Sequence, residues 1–172
     1  MPGIVDRLLG TTTTTQMQET VNCGEVYYLW NGLVLRYQIR EMNDIFENYA
    51  NDPDWKAILA AGKKILDGEI TELENELKLL GIPLPSRPPV GVNTPANAEV
   101  IRDEFIFQWV LGGISDFIEE HIRALRTLAN HRLRDMFTKM KRTELGYFRR
   151  LSEYGELKGW TPLSPSYHPV SG

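Results

Sequence analysis

The stretch GIPLPSRPPV, residues 81–90, places Pro83, Pro85, Pro88 and Pro89 between two long segments whose apolar residues recur at helical spacing. Proline lacks an N–H and fixes φ at about −65°, so this stretch can be neither helix interior nor central strand. What it joins therefore decides the fold. Read as a crossover over residues 81–96, its roughly fifteen positions after Gly81 cover about 45 Å at ~3.1 Å per residue in an extended polyproline conformation. That is the length of one long helix, so the chain can return along the full height of a bundle before the next helix begins.

The flanks fit this reading. Asn22 followed by Glu25 has capping-box spacing and predicts a helix start at residue 23. From Val26 the residues Trp30, Leu33, Val34, Tyr37, Ile45 and Tyr49 recur mostly at threes and fours, tracing one helical face that ends near Ala50. In NDPDW, Asp52 suits an N-cap and Pro53 the first helical position, where the missing N–H would have gone unpaired anyway. A second helix of about 27 residues, roughly 40 Å long, carries Trp55, Leu59, Leu66, Ile70, Leu73 and Leu77 and stops at Gly81. So short a join makes these two helices an antiparallel hairpin. A third helix is predicted from Asn97 to about Leu128, and a fourth, capped by Asn130, carries Leu133, Phe137, Met140, Tyr147 and Leu151.

The predicted architecture is all-α: a four-helix bundle over residues 23–157, built as two antiparallel hairpins joined by the long proline-rich crossover, the connectivity of ferritin-like bundles. The competing arrangement is an up-down-up-down bundle with a loose surface loop. Fifteen residues without structure are uncommon unless they serve a purpose, which favours the crossover. Residues 1–22, with TTTTTQMQET, read as a flexible N-terminal arm. Residues 158–172 form an aromatic, proline-rich tail that either folds back on the bundle or docks on a neighbour.

The 172 residues suit one domain with a continuous core. With 19 basic against 23 acidic residues and a net charge of −4, nothing in the balance calls for nucleic acid. One cysteine, Cys23, permits no intrachain disulfide and suits a reducing compartment. No apolar run is long enough for a membrane span and the N-terminus lacks a signal-peptide pattern, so cytoplasmic synthesis is expected. The charge is unevenly spread. Residues 41–80 hold ten acids and four lysines, whereas residues 121–150 hold nine Lys or Arg and two acids. This complementarity serves the packing of one hairpin on the other, self-association, or neither, as simply a solvated face.

Bundles of this connectivity raise the question of a di-metal site, which takes a Glu from each of two helices and a Glu-x-x-His from each of the other two. Ile118, Leu128 and Pro165 stand three places before His121, His131 and His168, so no Glu-x-x-His exists. Among acids near the apolar stripes, Glu41, Glu69 and His121 fall about nine, sixteen and twenty-three residues from the end where the first hairpin turns. That puts Glu41 and His121 roughly 20 Å apart. Glu41, Glu104 and Glu144 are closer in level and are candidates for a small polar layer. Hydrogen-bonded core acids are expected, with no catalytic, cofactor or metal-binding residues. Cys23 reads as a bystander thiol. Phosphate-binding glycine motifs are absent, and Gly112-Gly113 in mid-helix reads as a kink or a close approach.

LWNGLVLRYQIREMNDIF, NDPDWKAIL, LKLLGIPLPSRPP and KGWTPLSPSY together resemble the CotF-like group of ferritin-like proteins of endospore-forming bacteria. Its members are attributed to the spore coat or have no known function, and the likeness spans residues 24–168. It implies a bundle, deposition in the spore coat and contact with other coat proteins. It implies no reaction. Longer members carry two such domains in tandem, which suggests a homo-oligomer, a dimer, for a chain with one. The expected function is a non-enzymatic structural or assembly protein acting through self-association, without nucleic acid or membrane. The alternatives are a ferritin-like metal-binding or redox protein with an atypical carboxylate site, and a cytosolic adaptor that clasps a partner helix.

Overall fold

A computed structural model describes residues 20–88 and 101–161. Four helices form: α1 Cys23–Tyr49, α2 Pro53–Leu79, α3 Asp103–Thr127 and α4 His131–Lys158. Among the described residues there is no strand. The caps explain the boundaries. Asn22 Oδ1 accepts from the Glu25 N–H at 3.0 Å and Glu25 Oε2 accepts from the Asn22 N–H at 2.9 Å, a complete capping box. Asp52 accepts from the N–H groups of Asp54 and Trp55, and Asn130 from those of Arg132 and Leu133. At the end of α2, Gly81 takes φ +68°. The Gly81 N–H donates to Lys78 O and the Ile82 N–H to Leu77 O, closing a Schellman motif.

α1 pairs with α2 and α3 with α4 as hairpins. Two buried or half-buried carboxylates set how the hairpins meet. Glu25, at the start of α1, has Oε1 accepting from the N–H groups of Ala129 and Asn130 in the α3–α4 turn, at 2.7 and 2.6 Å. Asp103, at the start of α3, does the same for the α1–α2 turn, its two oxygens accepting from Asn51 and Asp52 N–H, both at 2.9 Å. Each hairpin thus grips the other's turn with an acid from its own first helical turn. The start of α1 lies beside the end of α3, and the start of α3 beside the end of α1, so α2 and α3 run the same way. The crossover must climb the whole bundle. Its described part starts on that path: Ile82 and Leu84 pack on the core at the α2 C-terminal end, and Arg87 then reaches Glu74 at 3.0 Å and lies over the Tyr37 ring.

α3 begins at Asp103, six residues after the expected start at Asn97. Asn97 and the rest of the crossover, 89–100, lie outside the described residues, as do the arm, 1–19, and the tail beyond Thr161. What is described of the tail folds back. Gly159 takes φ +70° and the Trp160 N–H donates to Gly155 O, turning the indole into a cluster with Trp55, Phe107 and Tyr154. The core has two apolar ends. One is built on Leu29, Leu33, Leu73, Leu77, Leu133 and Phe137. The other is built on Phe46, Trp55, Leu59, Ile106, Phe107 and Leu151. On α1 the buried face runs through Leu29 rather than the adjacent Trp30, which is exposed.

Candidate functional site

Between the two apolar ends lies a polar layer to which each helix contributes one side chain: Arg36 from α1, Glu69 from α2, His121 from α3 and Glu144 from α4, all buried. The levels agree because Glu69 lies 16 residues into α2 and His121 18 residues into α3, counted from Pro53 and Asp103. The start at Asp103 rather than Asn97 moves His121 by about 9 Å relative to expectation and brings it to Glu69. Glu41, Glu104 and Glu144, the candidates for a small polar layer, do not come together. Glu144 belongs to the layer, but Glu41 borders a surface cleft with Arg40 and Asp67, and Glu104 pairs with Arg102 at the bundle end.

Arg36, 1% exposed, is the centre. Its Nε donates to Glu69 Oε2 at 2.9 Å, its Nη2 to Glu144 Oε1 at 3.1 Å, and its Nη1 to the Gly32 carbonyl at 3.2 Å. The guanidinium lies 4.8 Å from the centroid of the Phe117 ring. Arg36 Nη2 also stands 3.0 Å from His121 Nε2. A guanidinium only donates, so Nε2 accepts, and a neutral His121 carries its proton on Nδ1. That nitrogen lies 2.6 Å from Glu144 Oε2, a close contact without hydrogen-bond geometry. Burial, reinforced by Arg36, pulls the His121 pKa down to about 4 and keeps the ring neutral. Burial also pushes Glu144 up to about 7 against the pull of Arg36, and raises Glu69. The hydrogen bond from Arg36 favours the ionised form of Glu144 and burial the neutral one.

The layer has the donor types of a metal site but not its construction. A guanidinium stands between the carboxylates and the imidazole, already bonded to both acids, and no helix carries a Glu-x-x-His. Among the described residues no group of three His, Cys, Asp or Glu is placed to hold an ion. These residues do not fit the di-metal centre that the connectivity would suggest. Sequence reasoning singled out Glu69, His121 and Glu144 but missed Arg36, although Leu29, Leu33, Arg36 and Tyr37 lie at threes and fours along the buried face. Gly112 and Gly113 have no heavy atom within 4 Å of an added Cβ, so packing within the described chain does not demand glycine there. Cys23 is exposed.

The bundle is similar to two solved structures. A "putative spore coat protein" from Bacillus halodurans superposes with a TM-score of 0.78 at 19% identity, over 86% of this chain and 95% of that one. A two-domain protein from Anabaena variabilis containing DJ-1/ThiJ/PfpI-like and ferritin-like domains gives a TM-score of 0.59 at 17% identity, over 94% of this chain and 42% of that one. At these identities the likeness shows the fold, a ferritin-like four-helix bundle. No curated protein matches the sequence. Residues 10–170 match the model of a family described as a protein of unknown function, DUF3231.

Proposed function

Because the chain belongs to the DUF3231 family of proteins of unknown function, we propose its role from its geometry: a non-enzymatic structural or assembly protein of the spore coat that acts through self-association. The observation that carries this reading is the guanidinium of Arg36 at the centre of the polar layer. The acids and imidazole that a bundle of this connectivity would direct at a metal are taken up by a side chain of the protein itself, which holds the four helices in register without an exogenous ion. The likeness to the Bacillus halodurans protein supports the coat. None of the described helices is long and apolar enough to cross a membrane.

Self-association has support in the outer surface of the first and third helices. Tyr27 and Trp30 on α1 and Phe105 and Trp109 on α3 are among the large hydrophobics left exposed. A groove between these helices is lined by Leu35, Gln38, Trp109 and Gly112. Tyr27 and Trp30 stand near one end of the bundle and Phe105 and Trp109 near the other; exposed aromatics of this kind support an interaction surface, and the partner in this reading is a second copy of the chain. Proteomics of purified coat layers, combined with light scattering of the purified protein, tests the proposal. Enrichment in the coat and a mass of at least two chains are expected. A monomer absent from spores, or stoichiometric iron or manganese in the purified protein, overturns it.

A further inference from the structure

A cleft of about 80 Å³ is lined by all four helices beside the polar layer, on the side of the α1–α2 turn. Its walls include Met42, Phe46, Leu66, Trp109 and Phe117, and its polar lining includes Glu69 and Glu144. Once Glu144 has given up its proton, at a pH above about 7, the charges there do not cancel. Arg36 supplies one positive charge to two carboxylates, and His121 adds none because its Nε2 accepts from Arg36. With both acids ionised, one negative charge is left over. The hydrogen bonds fall short at the same place: Glu69 gives Oε2 to Arg36, while its Oε1 is buried without a partner on a side chain that is 10% exposed. A buried anionic oxygen left in this way is unfavourable until a donor reaches it.

We propose that this cleft is a binding site for a small aliphatic primary ammonium, its nitrogen directed at Glu69 and its hydrocarbon chain against Met42, Phe46 and Leu66. The inference goes beyond the structural role proposed above and does not depend on it. Each requirement has its counterpart. An ammonium supplies both the missing charge and the missing donor. A carboxylate ligand would meet two like charges, and a neutral alcohol would leave the charge unbalanced. The volume is well below the ~150 Å³ of a cavity that accepts benzene, which restricts the chain to a few carbons. Gly113 lines the cleft, and a Cβ there would meet nothing within 4 Å, so a larger side chain has room at this wall.

Titration of the full chain with n-butylammonium chloride at constant ionic strength, followed by NMR at the Trp109 indole N–H and the Met42 methyl, tests the site. Saturable shifts at both groups are expected, with n-butanol and butyrate binding at least tenfold more weakly. Glu69→Gln should weaken butylammonium at least tenfold. Gly113→Leu should do the same by filling the cleft, and it has room to fold, which its thermal midpoint verifies. Absence of saturation in the unsubstituted protein, equal binding of butanol, or undiminished binding by folded Gly113→Leu would each overturn the proposal. The last outcome would also place any binding elsewhere on the molecule. Gly113 also lines the groove between α1 and α3, so light scattering of Gly113→Leu separates loss of binding from a change in subunit number.

Discussion

Arg36 holds two carboxylates at a depth where neither is stable alone. Removing one partner from a buried ion pair typically costs about 3–5 kcal/mol, much of it the penalty on the charge left behind. Arg36→Met, which keeps much of the volume, is therefore expected to destabilise by roughly that amount in urea unfolding. The loss should shrink on acidification, because Glu69 and Glu144 can then take up protons. Adding Glu144→Gln to Arg36→Met should recover part of it. The unsubstituted protein has its own pH dependence. Glu144 is raised from 4.5 to about 7, so its contribution is fully present below 4.5 and lost as pH rises through 7. His121 is lowered from 6.5 to about 4, so its contribution is present above 6.5 and lost as pH falls through 4. The two slopes oppose each other between 4.5 and 6.5, leaving a decline above about pH 6.5. The urea midpoint should fall between about pH 6 and about pH 8, and Glu144→Gln should flatten that fall. Glu69, His121 and Glu144 were visible in the sequence as polar residues on or beside apolar stripes, although the candidates for a layer were Glu41, Glu104 and Glu144. The layer that does form was not. Heights along a bundle inherit every error in a helix start, and an arginine on a stripe is ordinarily a boundary residue whose head reaches water.

At the level of elements, caps and turns were the most legible features because their chemistry is local. Asn22, Asp52, Pro53, Gly81 and Asn130 each perform the task that their residue type and position indicated. The start of α3 was illegible for the opposite reason. Asp103 is held by Asn51 and Asp52, some fifty residues earlier in the chain, and Arg102 before it makes no side-chain cap. Asn97 has a capping residue type, and residue type alone does not locate a helix start. Asp103→Ala should thus weaken the docking of two hairpins as well as one helix end, leaving two turn N–H groups without their acceptor. At about 1 kcal/mol for each lost hydrogen bond, it should lower the unfolding free energy by about 2 kcal/mol. The close approach at Gly155 provides a second test. A Cβ there would come within 2.7 Å of Phe107 Cε1, on a ring that is fully buried. Gly155→Ala should cost about 1–3 kcal/mol by overpacking, despite alanine's better helix propensity, whereas Gly113→Ala, which meets nothing, should stabilise slightly in the same thermal melts.

Across the whole molecule, the acid-rich second helix and the base-rich fourth face each other. Arg132 bridges to Glu76 and Lys139 to Glu72, the latter at 2.9 Å. Other α2 groups are engaged within the first hairpin, Asp67 by Arg40, and Lys63 by Asp44 and Glu47. The charge asymmetry of the sequence is therefore used in part inside the bundle, and the acids so engaged are less available to draw in another molecule. If copies of the chain associate as proposed, the attraction should come from the aromatics on α1 and α3, and this makes a distinguishing prediction. Interactions between exposed charges weaken as the Debye length falls from about 10 Å at 0.1 M salt to about 3 Å at 1 M, while burial of apolar surface does not. The mass from light scattering should hold across that range of salt, whereas Trp109→Glu or Phe105→Glu should reduce it to a single chain without changing helical content. Dissociation by salt, with both glutamate variants still associated, would move the interface from the aromatic face to the charged one, because only an association held by exposed ion pairs fails in that order.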